Sequence, residues 1–285
     1  MKNLTSLALA ALGAIGVPVA PVLAQDLLER VTSGATIAVG TANEAPFSSI
    51  NASGALEGSD IALLEAILAQ MGPAQTEGSL TEFGALIPGL LASRFDIIAA
   101  GLYISPERCQ QVAFAEPVFA IGNTFIVPAG NPKNLHSFED LINDPSLKAG
   151  HTMGSRLRTT AIEAGVPEDQ LTPFPDGPAL IAAVKAGRVD AVLFPALSAQ
   201  TLLDKANDPA VERAIPFHDP IINGKPAVSY GSFAFRKEDA AFVEAFNAIL
   251  VPFVQSEEYA EMVRPFGFTA EDLPVDVTTA SICAG

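Results

Sequence analysis

Arg108 is the residue of this sequence best equipped for recognition chemistry. It ends the stretch Leu102-Tyr103-Ile104-Ser105-Pro106-Glu107-Arg108, which follows the apolar run Asp96-Ile97-Ile98-Ala99-Ala100-Gly101. That run reads as a buried strand closing at a glycine. Ser105 then stands at a helix N-cap, Pro106 at the first helical position and Glu107 in the first turn. An arginine one turn in can hold a carboxylate by a two-pronged, charge-assisted hydrogen bond. Tyr103 offers a flat π face beside it. Ligands of open α/β sheets sit at the carboxyl ends of strands, so this stretch reads as one wall of a small-molecule site. Gly154-Ser155, ahead of a helical stretch, reads either as an anion site made by free backbone N–H groups or as an ordinary helix cap. Acid–base or nucleophilic chemistry has little support. Glu44 is the only well-placed acid, and no histidine or serine has a partner at a recognisable spacing.

The elements that must position these groups alternate between strand and helix. Thr36 to Gly40 reads as a strand, followed by the loop Thr41-Ala42-Asn43-Glu44-Ala45-Pro46-Phe47. Ser59 or Asp60 caps a helix to about Met71, with Ile61, Leu64, Ile67 and Leu68 on one face. Phe83 to Ala92 is helical, with Pro88 limiting its regular part. The strand from Asp96 to Gly101 and a short helix from Arg108 to Val112 complete a β-α-β order, the mark of a parallel sheet covered by helices. A strand from Gly122 to Pro128 follows, then a helix start at Ser137 and a loop from Gly150 to Ser155. A helical stretch to Ala164, a helix from Pro178 to Ala186 and a strand from Asp190 to Phe194 come next. The segment Leu86–Asp96 aligns without gaps with Leu180–Asp190, with Leu, Ile, Ala, Arg and Asp in register. Two similar α/β lobes are expected. Tyr230 to Phe235 reads as a return crossing, so that Ala240–Phe253 and Tyr259–Phe266 pack back on the first lobe. Two crossings, near 121–127 and 228–233, would form a hinge. The expected division is 25–124 with 229–285 as lobe 1, and 125–228 as lobe 2.

Composition narrows the partners. Residues 1–24 read as a secretory signal: Lys2, an apolar core, and Val22-Leu23-Ala24 ahead of a cleavage before Gln25. This predicts a periplasmic protein. The formal charge of −16 over 285 residues argues against nucleic acid as a partner. The two cysteines, Cys109 and Cys283, could pair in an oxidising compartment, although sequence spacing says nothing of their distance. No Cys/His spacing resembles a zinc site. His136, His151 and His218 read as surface or loop residues, and Asp96 and Asp190 as structural. No metal or cofactor is expected.

Several motifs together resemble a known family. They are the signal, Glu82-Phe83-Gly84-Ala85-Leu86-Ile87-Pro88-Gly89-Leu90, Ile104-Ser105-Pro106-Glu107-Arg108, Gly187-Arg188-Val189-Asp190-Ala191 and Tyr230-Gly231-Ser232-Phe233-Ala234-Phe235-Arg236-Lys237. The set resembles the polar-amino-acid-type solute-binding proteins of ABC importers, over nearly all of the chain beyond the signal. Asn43-Glu44-Ala45-Pro46-Phe47, Thr81-Glu82-Phe83-Gly84 and Ala99–Cys109 are most similar to the ectoine/hydroxyectoine-binding branch. The resemblance implies an α/β, type II periplasmic-binding fold, each lobe a mixed sheet flanked by helices, with the ligand cleft between lobes. It implies a monomer that delivers a small zwitterion to membrane permease subunits, without turnover.

It also implies a ligand set. Arg108 would pair the carboxylate and Glu44 the amidinium N–H groups, with Phe47, Phe83 and Tyr103 as an aromatic box, which suits a spread cation. Gly154, Ser155 and Arg156 would form the second-lobe anion loop. Taken singly, Phe47 and Phe83 read more readily as core residues. Two departures bear on the ligand. Amino-acid binders of the family carry a small hydroxyl residue at Tyr103 and an aspartate for the α-ammonium at Pro195. Arg156 stands where threonine is usual and could reach a second carboxylate, which would fit an opine. An amino-acid or opine binder, a cyclohexadienyl-dehydratase-like enzyme on the same fold, and a sensor module remain as alternatives.

Overall fold

The computed structural model describes residues 26–222 and 224–285. The expected signal, 1–24, lies outside the described residues. Two five-stranded mixed sheets form the two lobes. In lobe 1 the strand order is Gln75–Leu80, Thr36–Thr41, Ile97–Ile98, Ala234–Phe235, Ala113–Phe114. The first three run parallel and Ala234–Phe235 runs antiparallel to both its neighbours. In lobe 2 the order is Leu171–Phe174, Ala149–Thr152, Ala191–Pro195, Asn123–Pro128, Val211–Arg213, again three parallel strands followed by antiparallel ones. The chain passes between the lobes twice. The crossing strands Phe119–Ile121 and Ser229–Gly231 pair antiparallel, and Tyr103 bridges Gly231. The return crossing expected at Tyr230 is therefore present, and it splits at Ser232-Phe233 so that Ala234–Phe235 can join the first sheet.

The core of lobe 1 gathers the 59–71 helix, through Ile61, Leu64 and Ile67, with Phe242, Phe246 and Leu250 of the 240–254 helix and with Tyr259 and Val263. The late segment thus packs back on lobe 1. Burial of side chains this large, about 1.5–3 kcal/mol each, holds a terminal segment that few hydrogen bonds tether. The disulfide Cys109–Cys283, with Cα atoms 5.7 Å apart, adds a covalent tie between the last helix, Thr279–Ala284, and the helix that carries Arg108. Lobe 2 packs Phe125, Phe138 and Leu193 on one face of its sheet and Phe174, Leu180 and Val192 on the other.

Local structure departs from the sequence reading in a few places. The polar strand Gln75–Leu80 went unread because it is a sheet edge with little apolar alternation. Gly150 to Thr152, read as loop, belongs to a fully buried strand in which Gly150 admits the Leu180 side chain; a Cβ there would lie 2.9 Å from it. His151, read as surface or loop, is buried in that strand, and burial lowers its pKa. The strand expected from Asp96 to Gly101 is confined to Ile97–Ile98, and the rest turns towards the cleft. The 59–71 helix is entered through Gly58 at φ 127°, where any Cβ would strike the Phe47 backbone, and not through a Ser59 or Asp60 cap.

Candidate functional site

Ser105 caps the helix that carries Arg108 and Pro106 opens it, as expected, but the helix ends at Cys109 and does not run from Arg108 to Val112. The helix is Pro106–Cys109, and the Ser105 side chain accepts from the Arg108 N–H at 3.4 Å. The guanidinium is buried. Its Nη1 donates to the Tyr103 carbonyl at 2.6 Å, and its Nη2 donates across the cleft to the Gly154 carbonyl at 2.9 Å. The Phe83 ring lies 5.8 Å from its Cζ. Among the described residues no carboxylate is within ion-pair distance of it. The Glu107 pKa is lowered, chiefly by the neighbouring Ser105, and Glu116 accepts from the Thr279 N–H. Burial, then the neighbouring Arg156, lowers the Arg108 pKa to about 10. A guanidinium this enclosed, satisfied only by carbonyls, is a strong electrostatic demand for an anion.

Aromatic rings surround the space beside it. Phe47 is fully buried, with its ring 4.5 Å from Phe119 and pressed against Gly101. Gly101 has φ +62°, and a Cβ there would lie 2.4 Å from the Phe47 ring, so this position needs glycine on both counts. Tyr103, 5% exposed, meets Phe119 edge-on at 6.0 Å. Its hydroxyl is buried with no hydrogen-bond partner among the described residues. Phe119, which backs both rings from the crossing strand, was not foreseen; nothing in its sequence neighbourhood sets it apart from other core phenylalanines.

Lobe 2 closes the opposite side. The Ser155 hydroxyl is buried and unpartnered at the start of the 156–163 helix. Gly154, at φ +79°, meets Gly84 of lobe 1 so closely that a Cβ on it would lie 2.6 Å from the Gly84 Cα. Arg156 borders the cavity, but its guanidinium is held by Glu163 of its own helix through two hydrogen bonds of 3.1 and 2.9 Å. Thr152, Leu157 and Pro195 complete this wall, and Gly154 contributes through its backbone carbonyl.

The space enclosed by Phe47, Phe83, Tyr103, Arg108, Ser155 and Pro195 is about 30 Å³. Glu44, Phe83 and Thr152 also line a separate cavity of about 840 Å³ between the lobes. The residue surface of Glu44 is half-buried, but the carboxyl end is enclosed enough that burial raises its pKa to about 7, with Ser198 across the cleft opposing. The buried Ser198 hydroxyl nevertheless makes no well-formed hydrogen bond. Ser198 lies in the 196–206 helix beyond Pro195 and carried no signal in the sequence. The enclosed space is thus lined by one anion-seeking arginine, one acid, aromatic rings and the buried hydroxyl of Ser155, with that of Tyr103 beside it, both without a hydrogen-bond partner among the described residues. That is the equipment for binding a small polar molecule with one charge of each sign.

Comparison with known proteins points the same way. The family model for bacterial extracellular solute-binding proteins, family 3, matches residues 37–269. A probable amino-acid ABC transporter periplasmic-binding protein of Sinorhizobium fredii is 35% identical over 262 residues, 90% of this chain and 86% of the relative. The crystal structure of EhuB in complex with hydroxyectoine superposes with a TM-score of 0.80 at 35% identity, covering 91% of this chain and 99% of EhuB. A reconstructed ancestral amino-acid-binding protein, described as a precursor of cyclohexadienyl dehydratase, gives a TM-score of 0.68 at 27% identity over 81% of this chain and 95% of that one.

Proposed function

This chain belongs to family 3 of the bacterial extracellular solute-binding proteins, with the two-lobed type II periplasmic-binding fold, and from that premise we propose that it captures a small zwitterion for an ABC importer, ectoine or hydroxyectoine first. The observation that carries the reading is the charge inventory of the enclosed space beside Arg108. Among the described residues Arg108 has no countercharge, Arg156 has one in Glu163, and Glu44 is the acid that lines the enclosed space. One carboxylate and one cation on the ligand balance this set. A dicarboxylate would need Arg156 released from Glu163. The rings of Phe47, Phe83 and Tyr103 suit a cation spread over an amidinium, each contact adding roughly 0.5–2 kcal/mol when desolvated. The similarity to EhuB, whose structure holds hydroxyectoine, supports the same class. The ligand would be delivered unchanged to permease subunits by a periplasmic monomer.

The enclosed space of about 30 Å³ is far below the ~300–1,000 Å³ of small-ligand sites, so a ligand enters by parting the lobes and replacing the Arg108–Gly154 hydrogen bond. A thermal-shift screen of ectoine, hydroxyectoine, glycine betaine, arginine, histidine, glutamate and octopine tests the ligand class, since a molecule that binds only the folded form raises the melting temperature. Ectoines are expected to give the largest rise. A rise with octopine or glutamate and none with the ectoines would replace this reading by a dicarboxylate binder. Conversion of any bound ligand, lost in Glu44→Gln, would favour an enzyme.

A further inference from the structure

Asp60 is a buried carboxyl to which the ligand reading gives no role. It lies in the first turn of the 59–71 helix, 3% exposed, and lines neither cavity. Its Oδ2 accepts from the Gly101 N–H at 2.9 Å. Its own N–H donates to the Phe47 carbonyl at 2.9 Å, and the adjacent Ser59 N–H donates to the Pro46 carbonyl at 2.9 Å. One helix end therefore grips two of the lobe 1 loops that reach the cleft, the loop ending at Phe47 and the loop from Gly101 to Tyr103. These loops also press on each other, since the Phe47 ring occupies the place a Gly101 Cβ would need. Burial pushes the Asp60 carboxyl up to about 7, and the Gly101 N–H opposes that rise. A carboxyl enclosed with a single N–H partner costs free energy. An apolar residue would fill the space at less cost, but it could not fix Gly101. We propose that Asp60 is a positioning residue for the ligand cage, holding Gly101 by its side chain and Phe47 by its backbone so that the Phe47 and Tyr103 rings keep their spacing.

The link to affinity rests on the zwitterion reading of the cleft; the hold on Gly101 does not. Hydrogen exchange of single amides, followed by NMR in the ligand-free protein, reads that hold directly. In Asp60→Ala and Asp60→Leu the Gly101 N–H is expected to exchange about tenfold faster or more, as loss of a buried hydrogen bond implies. The Val39 N–H in the central strand should keep its rate. Asp60→Asn retains a carbonyl oxygen and should stay near the wild type. Calorimetric titration with hydroxyectoine should show a matching loss of about tenfold in the first two variants and less than about threefold in Asp60→Asn. If neither Asp60→Ala nor Asp60→Leu folds, Asp60→Glu displaces the acceptor by one methylene and should raise both Gly101 exchange and Kd. Unchanged Gly101 exchange, or wild-type affinity in a folded variant without the acceptor, overturns the proposal. If wild-type protein binds no hydroxyectoine, the zwitterion reading fails, and Gly101 exchange alone decides whether Asp60 holds the loop.

Discussion

Lobe 1 faces the cleft with aromatic side chains and an arginine rooted in its core, whereas lobe 2 faces it with hydroxyls, a proline, one core leucine and an arginine that is already paired. Phe47 and Tyr103 belong to the same buried cluster as the 59–71 and 240–254 helices, and Arg108 is anchored by the Tyr103 carbonyl. Ser155 and Arg156 stand instead at the first turn of a surface helix, with the Arg156 charge satisfied by Glu163. The difference teaches a division of labour. Lobe 1 holds charge and shape in place before a ligand arrives, so little ordering cost remains at binding. Lobe 2 offers the Gly154 carbonyl and two unpartnered hydroxyls, which can exchange partners as the cleft shuts.

Four measurements would break or sharpen this contrast. Arg108→Ala should cause the largest loss. Removing one partner of a desolvated charge pair costs about 2–5 kcal/mol, so calorimetry should show affinity weakened by tens- to thousands-fold with the fold retained. A loss under about threefold would move recognition out of lobe 1.

Reduction of Cys109–Cys283, or the double change Cys109→Ser with Cys283→Ser, tests how far the rigidity of lobe 1 depends on its covalent tie. Stability in urea should fall by about 2–5 kcal/mol. Affinity should fall by a smaller factor, because the helix bearing Arg108 keeps its Ser105 cap. Unchanged stability would show that the last helix docks without the bond.

The third measurement is pH dependence. Burial raises the Glu44 pKa from its ordinary 4.5 to about 7, so the carboxyl holds a proton below that pH. A cationic ligand binds the ionised form. Affinity should therefore drop by about tenfold between pH 8 and pH 6 and become flat in Glu44→Gln. Ligand-free stability should run the other way. Between 4.5 and 7 the folded chain holds a proton that the unfolded chain releases, so the Glu44 contribution makes stability fall as pH rises through that window. An affinity independent of pH over this range would remove Glu44 from the cation site.

Arg156→Ala should have the smallest effect, a change in hydroxyectoine affinity below about threefold, as for an ion pair near the surface. A loss as large as that of Arg108→Ala would erase the contrast between the walls and revive a ligand with two carboxylates.

Much of this plan was legible in the chain because it rests on local chemistry. The echo of Leu86–Asp96 in Leu180–Asp190 marks equivalent positions in the two lobes. Asp96 Oδ2 accepts from the Ala38 N–H at 3.1 Å and Asp190 Oδ2 from the Lys148 N–H at 2.8 Å, each tying its strand to the parallel neighbour. The Ser105–Pro106 cap was readable because capping needs only adjacent residues. The strand Ala149–Thr152 was not, because Gly150 and His151 join a sheet only when neighbours cover both faces. Arg156 shows the limit at the site. Its residue type suggested a second anion contact, whereas in the fold its guanidinium is taken up by Glu163 seven residues later. The sequence by itself determined two α/β lobes, a return crossing and a candidate arginine beside an aromatic residue, since periodicity, caps and motifs act over short spans. Only the tertiary structure decided that Arg108 lacks a countercharge, that Glu44 is enclosed opposite Ser198, and that Cys109 meets Cys283. Burial and charge balance depend on which distant segments the fold brings together, and no local pattern records them.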